Sequence, residues 1–103
     1  MSEVIRIEHA DLPAEGRAVR VMANGIPVAI FRVGGNLYGL DARCTHVGGP
    51  LDRGSLSGTE VTCPLHRSVF DVRDGRVVHG PATRPATAYH AKLDGTTLVL
   101  ERD

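Results

Sequence analysis

The two cysteines of the chain each have a histidine close behind them. His46 follows Cys44 and His66 follows Cys63, so the pattern reads C-x-H, sixteen residues, C-x-x-H. The chain has 5 histidines in 103 residues, and the odds of meeting both offsets by chance are roughly one in four hundred. Thiolate sulfur and imidazole nitrogen are good ligands for soft and borderline metals. The spacing therefore predicts a metal site built from two short loops, each giving one sulfur and one nitrogen.

Two kinds of metal site use two sulfur and two nitrogen ligands. A single zinc ion takes this set in tetrahedral geometry, although zinc modules more often pair Cys with Cys and His with His. A two-iron, two-sulfide cluster also takes it, with two histidines replacing two cysteines on one iron. A loop that carries both ligand types suits the cluster, because its sulfur and its nitrogen can reach different irons. Zinc, and two buried thiols that bind no metal, stay open as alternatives.

Short β-branched runs separated by turns must position the two loops. Asn-Gly and Asp-Gly pairs between apolar runs are strong signals for tight β-hairpins. The hairpins that these pairs predict join residues 17–21 to 26–33, 69–72 to 76–78, and 89–93 to 96–100. Turns at such regular intervals predict an all-β fold, a sandwich or a barrel. We expect no helix beyond a single turn at residues 11–15.

Length, charge and hydropathy exclude several classes of protein. A chain of 103 residues fits one domain, and its 12 basic and 12 acidic side chains cancel, so we expect no nucleic-acid partner. No apolar run approaches the roughly 18 residues of a membrane helix, so we expect no membrane partner either. The N-terminal residues lack the basic and apolar regions of a signal peptide. These features predict a cytoplasmic protein whose two cysteines stay reduced.

The motif and the residues around it resemble the Rieske iron–sulfur domain. The match runs from about Asp41 to Ala82 and includes Phe70-Asp71-Val72-Arg73-Asp74-Gly75. The resemblance implies a single Rieske domain over residues 1–103, an antiparallel β-sandwich. A small cluster-binding subdomain of two metal-ligand loops would occupy about 41–82. It also implies one [2Fe-2S] cluster as the cofactor.

The same resemblance implies a ligand set for the cluster. Cys44 and Cys63 would bind the inner iron, and His46 and His66 the outer iron. The ring nitrogens of both histidines that bind no iron would then face solvent at the tip of the domain.

Three further residues near the ligands receive roles from the resemblance. Pro81, within Gly80-Pro81-Ala82, would lie in the proline-containing loop that covers the third side of the cluster. Ser68 matches a serine whose hydroxyl donates a hydrogen bond to cluster sulfur. Arg67 stands where the family usually has glycine, and it places a cation beside His66.

Departures from the respiratory branch of the family predict a modest reduction potential. In that branch, cysteines at the positions of Gly49 and Leu65 form a disulfide between the loops, and a tyrosine replaces Phe70. Hydrogen bonds to cluster sulfur raise the potential. One donor kept and one lost, with no disulfide, predicts a value in the lower half of roughly −150 to +300 mV.

The resemblance implies a soluble one-electron carrier of the kind that serves dioxygenases. Electrons would come from an NAD(P)H-dependent flavin reductase, a ferredoxin reductase, and go to a terminal oxygenase. The chain itself would not be an enzyme and would have no catalytic residues. An oxygenase iron needs two histidines and a carboxylate, and only His79 and His90 follow the motif.

Two other functions remain open at this point. The chain could be a small Rieske subunit of a larger reductase, such as nitrite reductase. Alternatively, a zinc-stabilised β module could serve protein interaction.

Overall fold

The computed structural model of the chain describes residues 3–45 and 48–102. Regular structure in these ranges is almost entirely antiparallel β-strand, as predicted. The one helical element described is a short 3-10 helix, Leu51–Arg53, and no helix in these ranges is long and apolar enough to cross a bilayer. The strands in chain order are β1 (Glu3–Glu8), β2 (Ala18–Ala23), β3 (Ile26–Val33), β4 (Asn36–Asp41), β5 (Ser55–Ser57), β6 (Glu60–Thr62), β7 (Val69–Asp71), β8 (Val77–His79), β9 (Ala88–Asp94) and β10 (Thr97–Arg102).

Six strands form the larger sheet, in the order β1-β10-β9-β4-β3-β2. The strands at the two ends of this order, β1 and β2, contact each other, so the sheet curls around a core of its own. The buried side chains of this first core are Ile5, Val21, Ala23, Val28, Ile30, Tyr89, Leu98 and Leu100.

The smaller sheet has four short strands, in the order β5-β6-β7-β8. Its apolar side chains and the 3-10 helix pack against the larger sheet and form a second core with it. The buried residues of this second core are Ala29, Phe31, Leu40, Ala42, Cys44, Leu51, Val61, Cys63, Phe70, Val72, Ala82 and Ala86. Both cysteines therefore lie between the two sheets.

Strand β3 separates the two cores. Val28 and Ile30 face the first core, whereas Ala29 and Phe31 face the second. Successive side chains of a strand point to opposite faces of the sheet. A strand that is buried on both faces must be apolar at nearly every position, which explains the continuous run of apolar residues in β3.

The hairpin predicted at Asn24-Gly25 is confirmed. Ala23 pairs with Ile26, and both turn residues have positive φ angles, 51° and 82°. Those angles are what a tight two-residue turn requires, and Asn-Gly supplies them at low cost. In the β9–β10 hairpin, Asp94 pairs with Thr97, so the turn lies one residue later than the Asp94-Gly95 pair suggested.

The connection between β7 and β8 is longer than the tight hairpin expected at Asp74-Gly75. Strand β7 ends at Asp71, and strand β8 begins at Val77. The turn is held by the backbone of Asp71, whose carbonyl accepts from the Gly75 N–H at 2.7 Å and whose N–H donates to the Arg76 carbonyl at 3.0 Å. The carboxylate of Asp71 binds Arg73 and Arg76.

The helical turn expected at residues 11–15 is wrong, because other partners take its polar groups. The carboxylate of Glu15 accepts the backbone N–H groups of Gly34 and Gly35 at 2.7 and 2.8 Å. The Pro13 carbonyl accepts a hydrogen bond from Nε of Arg32 at 2.8 Å. The segment therefore lies against the β3–β4 turn and ends in a turn of its own, where the Arg17 N–H donates to the Ala14 carbonyl at 3.0 Å.

Candidate metal centre

The first cysteine lies on a six-residue loop, 44–49, which we call ligand loop 1. The N–H of Cys44 donates to the Gly49 carbonyl and the N–H of Gly48 donates to the Cys44 carbonyl, both at 2.8 Å. A β-bridge between Arg43 and Pro50 closes the base of the loop. His46, which the sequence predicts as a ligand, lies outside the described residues.

The second cysteine lies on a loop of the same design, 63–68, which we call ligand loop 2. The N–H of Cys63 donates to the Ser68 carbonyl at 2.8 Å, and the N–H of Arg67 donates to the Cys63 carbonyl at 3.0 Å. In both loops the first N–H thus reaches the sixth carbonyl, and the fifth N–H returns to the first carbonyl. The fifth residue has a positive φ in each case, 75° at Gly48 and 64° at Arg67.

The two loops bring their sulfur atoms together in a buried place. Cys44 is 3% exposed and Cys63 is fully buried, and both are free thiols. Burial raises the pKa of the Cys63 thiol, and the adjacent Cys44 side chain raises it as well. The backbone N–H groups of Leu65 and His66 donate to the Cys63 sulfur and oppose that rise.

This donor set fits a cluster that is held by thiolates. Two sulfurs side by side favour a shared metal centre, because a cation removes the penalty that burial places on two negative sulfurs. Backbone N–H groups aimed at a ligand sulfur stabilise the charged form and tune iron–sulfur centres. The pair Cys44 and Cys63, which the sequence predicts as ligands, therefore meets both demands.

Gly49 is the point where ligand loop 1 touches ligand loop 2. A Cβ atom at this position would lie 2.7 Å from Sγ of Cys63 and 3.1 Å from Cδ1 of Leu65. Positions 49 and 65 thus face each other across the two loops. Neither residue is a cysteine, so the loops meet here by packing alone.

His66 lies on the exposed side of ligand loop 2, among other exposed residues of the tip. Leu65 beside it is 57% exposed. Among the described residues no three His, Cys, Asp or Glu side chains form a group that could hold a metal ion. The four-residue ligand set stays a prediction, since one member lies outside the described ranges.

Residues 80–86, which we call the third loop, tie the two ligand loops to each other. Ser68 is fully buried, and its Oγ accepts the N–H of Ala82 at 2.9 Å. On the other side, Oγ1 of Thr45 donates to the Arg84 carbonyl at 2.6 Å, and Nη2 of Arg84 donates to the Thr45 carbonyl at 3.4 Å. Pro81 lies exposed in this loop. The third loop therefore contacts both ligand loops, and the role of Pro81 in covering the cluster stays a prediction.

Phe70 and Asp71, which belong to the stretch that resembles the Rieske domain, are both buried. Phe70 lies in the second core and has no hydroxyl to donate. Asp71 forms ion pairs with Arg73 and Arg76. Sequence reasoning missed Thr45. Its position between a cysteine and a histidine of the motif was the available signal.

Comparison with protein families supports the motif. The family model of the Rieske [2Fe-2S] domain matches residues 2–98. A relative from Ralstonia sp, the ferredoxin component of naphthalene 1,2-dioxygenase/salicylate 5-hydroxylase systems, is 36% identical over 93 residues. That alignment covers 90% of this chain and 88% of the relative.

Solved structures show the same fold. The ferredoxin of carbazole 1,9a-dioxygenase from Nocardioides aromaticivorans IC177 superposes with a TM-score of 0.85 at 30% identity, covering 93% of this chain and 96% of the other. A ferredoxin in a complex of reduced oxygenase and oxidized ferredoxin, also of carbazole 1,9a-dioxygenase, gives a TM-score of 0.82 at 28% identity. This match covers 93% of this chain and 92% of that chain.

Proposed function

The chain belongs to the Rieske [2Fe-2S] domain family, and from this premise we propose that it is the ferredoxin component of an oxygenase system. Its cofactor is one [2Fe-2S] cluster, which supplies one-electron oxidation and reduction when bound. The observation that carries the proposal is the meeting of two buried cysteine sulfurs from two loops of matching design. Zinc as the resident metal loses its main support, because the family is defined by the cluster.

The proposed ligands are the buried Cys44 and Cys63 together with His46 and His66, of which the structure describes the exposed His66. The sulfurs lie inside the second core, where water is excluded. His66 lies at the surface, so a cluster held through its imidazole would lie close to a docked protein. The protein thereby keeps the sulfur side dry and presents the nitrogen side to a partner.

The proposed electron acceptor is a terminal oxygenase, and the proposed donor is an NAD(P)H-dependent flavin reductase. The solved complex of a similar ferredoxin with its oxygenase supports the first assignment. The names of curated relatives as components of dioxygenase systems support the second, since such systems need a source of electrons. We propose that the chain itself transforms no substrate.

A reducing compartment suits this function. Both cysteines must remain thiolates to bind iron, and the cytoplasm keeps thiols reduced. We therefore propose that the protein works in the cytoplasm. A small subunit of a larger reductase remains the second candidate, although the Ralstonia relative named above is a ferredoxin component of dioxygenase/hydroxylase systems.

Spectroscopy of the purified protein tests the cofactor. We expect red-brown protein with two irons and two sulfides per chain, and a Rieske-type EPR signal after reduction with dithionite. Cys44→Ser and Cys63→Ser should be colourless, and His66→Ala should lose the signal. The matched control is His90→Ala, an exposed histidine on β9, which should keep it. A colourless protein with stoichiometric zinc would overturn the proposal.

Association state separates a carrier from a permanent subunit. A freely diffusing ferredoxin should elute as a small protein in gel filtration of the native extract and should be captured with its partners only transiently. Co-elution with a large reductase at every salt concentration would instead favour the subunit. This measurement does not depend on the ligand assignment.

A further inference from the structure

We infer that the exposed tip of this protein recruits a partner surface rich in Asp and Glu side chains, through an arginine rim formed by Arg43, Arg67 and Arg84. The inference rests on the proposed function and adds the chemistry of the partner's docking face. The two ligand loops and the third loop form the tip; Arg43 borders the first of them, and Arg67 and Arg84 lie in the other two.

Each rim arginine lies in one of the three loops or directly beside one. Arg43 immediately precedes Cys44, and Arg67 immediately follows His66. Arg84 lies in the third loop, and its guanidinium reaches the carbonyl of Thr45. All three residues are exposed. The rim therefore flanks the side of the centre where electrons are proposed to leave.

The rim arginines differ from most other arginines in their partners. In the described ranges, ion pairs to carboxylates engage five arginines that lie on the sheets or the β7–β8 turn, namely Arg6, Arg20, Arg73, Arg76 and Arg102. None of the three rim arginines makes such a pair with a described carboxylate. Their charge is thus available to an incoming surface.

The tip concentrates positive charge although the whole chain is neutral. The three loops and the adjoining Arg43 (residues 43–49, 63–68 and 80–86) contain the three rim arginines and no Asp or Glu. The remaining chain then has nine basic side chains, since three are subtracted from 12, against 12 acidic ones. A tip of net charge +3 on a body of net charge −3 orients the molecule toward an anionic surface before contact.

Arg67 occupies a backbone position that disfavours an arginine. Its φ is 64°, in the left-handed region, and the equivalent position of ligand loop 1 is Gly48. A side chain there costs stability that glycine would not cost. Strained residues that persist beside a functional centre point to a role of the side chain.

The surroundings of Arg67 resemble a protein docking face. Leu65, 57% exposed, lies beside it at the tip with Pro64 and Pro81, both exposed. An apolar centre within a charged rim is the usual anatomy of protein interfaces. Arginine is also among the residues enriched in such interfaces.

Electron transfer to small complexes of opposite charge tests the sign of the tip. In stopped-flow experiments, the dithionite-reduced holoprotein, freed of excess reductant, gives one electron to cobalt(III), which becomes cobalt(II). The acceptors are the trianion tris(oxalato)cobaltate(III) and the trication tris(phenanthroline)cobalt(III). We expect the rate with the anion to fall as ionic strength rises, and the rate with the cation to increase.

Variants assign that charge to the rim. At about 10 mM ionic strength, Arg67→Gln and Arg84→Gln should each slow electron transfer to the anion about three- to tenfold. Electron transfer to the cation should stay as fast or become faster. Arg67→Lys should restore the rate of electron transfer to the anion. The control is Lys92→Gln, since Lys92 lies toward the β9–β10 turn, away from the loops, and it should change neither rate appreciably.

Competition by a polyanion extends the test to a protein-like surface. Poly-L-glutamate should slow electron transfer to the anionic acceptor, whereas poly-L-lysine should have little effect. Arg67→Gln should weaken the inhibition by poly-L-glutamate. Equal salt dependence for both acceptors, or an effect of Lys92→Gln as large as that of Arg67→Gln, would overturn the inference. A protein without a Rieske-type EPR signal would instead refute the proposed function.

Discussion

Arg67 and Gly48 occupy the same position in two loops with the same backbone hydrogen bonds. A positive φ is unfavourable for arginine but not for glycine, so Arg67→Gly should raise the free energy of unfolding by about 1 kcal/mol. Thermal or urea denaturation of the holoprotein measures this. The reciprocal control is Gly48→Ala, where a Cβ would meet nothing within 4 Å, so its expected loss reports the backbone alone. A loss of stability in Arg67→Gly would contradict the strain argument.

Asp71 makes the protein sensitive to acid. Hydrogen bonds from Arg73, aided by the charge of Arg76, hold the pKa of this buried carboxyl below its ordinary value. A carboxyl whose pKa is lower in the folded state than in the unfolded state stabilises the fold at pH values above its unfolded pKa of about 3.9. That stabilisation disappears as the pH falls through the folded pKa.

We therefore expect the free energy of unfolding to be flat from pH 7 to about 5 and to decrease below about pH 4. Urea titrations should give Asp71→Asn a free energy of unfolding about 1–3 kcal/mol lower at pH 7. This free energy should also decrease less than that of the wild type as the pH falls. Asp94→Asn is the control, because Asp94 and its partner Arg6 are both well exposed and such pairs contribute little. The same acid profile in wild type and Asp71→Asn would refute this role.

At the level of single residues, the spacing predicted that Cys44 and Cys63 come together, and their buried side chains are adjacent. Their role as ligands, and the roles of Ser68 and Pro81 beside them, stay predictions. The bond from Thr45 to the third loop was beyond prediction, because it joins residues 39 positions apart. The Oγ of Ser68 accepts the N–H of Ala82 and so joins ligand loop 2 to the third loop.

Among the elements, the contact of ligand loop 1 with ligand loop 2 is the most sensitive to added bulk. Gly49→Ala should lower the iron content of the purified protein severalfold, since a methyl group would lie 2.7 Å from the Cys63 sulfur. The control is Gly80→Ala, where a Cβ would lie 3.6 Å or more from its nearest contacts. Iron content and the visible spectrum are the measurements. Full iron loading of Gly49→Ala would show that the loops yield.

The sequence predicted the hairpin elements better than the edge strands. β3 and its turn at Asn24-Gly25 were recognisable because the turn residues and the apolar run agree. β1 and β5 were missed, since β1 buries only Ile5 fully and β5 has three residues, of which Leu56 alone is partly buried. Short or exposed strands form because neighbouring strands pair with them, and their own sequences carry little alternation of apolar and polar residues.

For the whole molecule, the two cores predict how removal of iron affects the fold. The first core contains no cysteine and should persist without metal, whereas the second core contains both. After anaerobic removal of iron with a chelator, the amides of Gly48, Cys63 and Arg67 should exchange hydrogen at least tenfold faster. Amides of β2 and β3 should stay protected. Equal loss of protection in both sheets would show that the larger sheet also depends on the cluster.

The division into two cores was only partly visible in the sequence. The uninterrupted apolar run of β3 is typical of a strand buried on both faces, but periodicity does not reveal what covers each face. The boundary expected near 41–82 stays a prediction. The second core crosses that boundary, since Ala29 and Phe31 of β3 contribute to it.

This shared strand limits how the centre can be transplanted. A synthetic peptide of residues 41–86 would carry both cysteines but lack the wall supplied by Ala29 and Phe31, so its sulfurs would stand in water. A host chosen to accept the graft must therefore offer a small and a large apolar side chain two positions apart on one sheet face. Engineers seeking a minimal redox module should keep β3 with the loops.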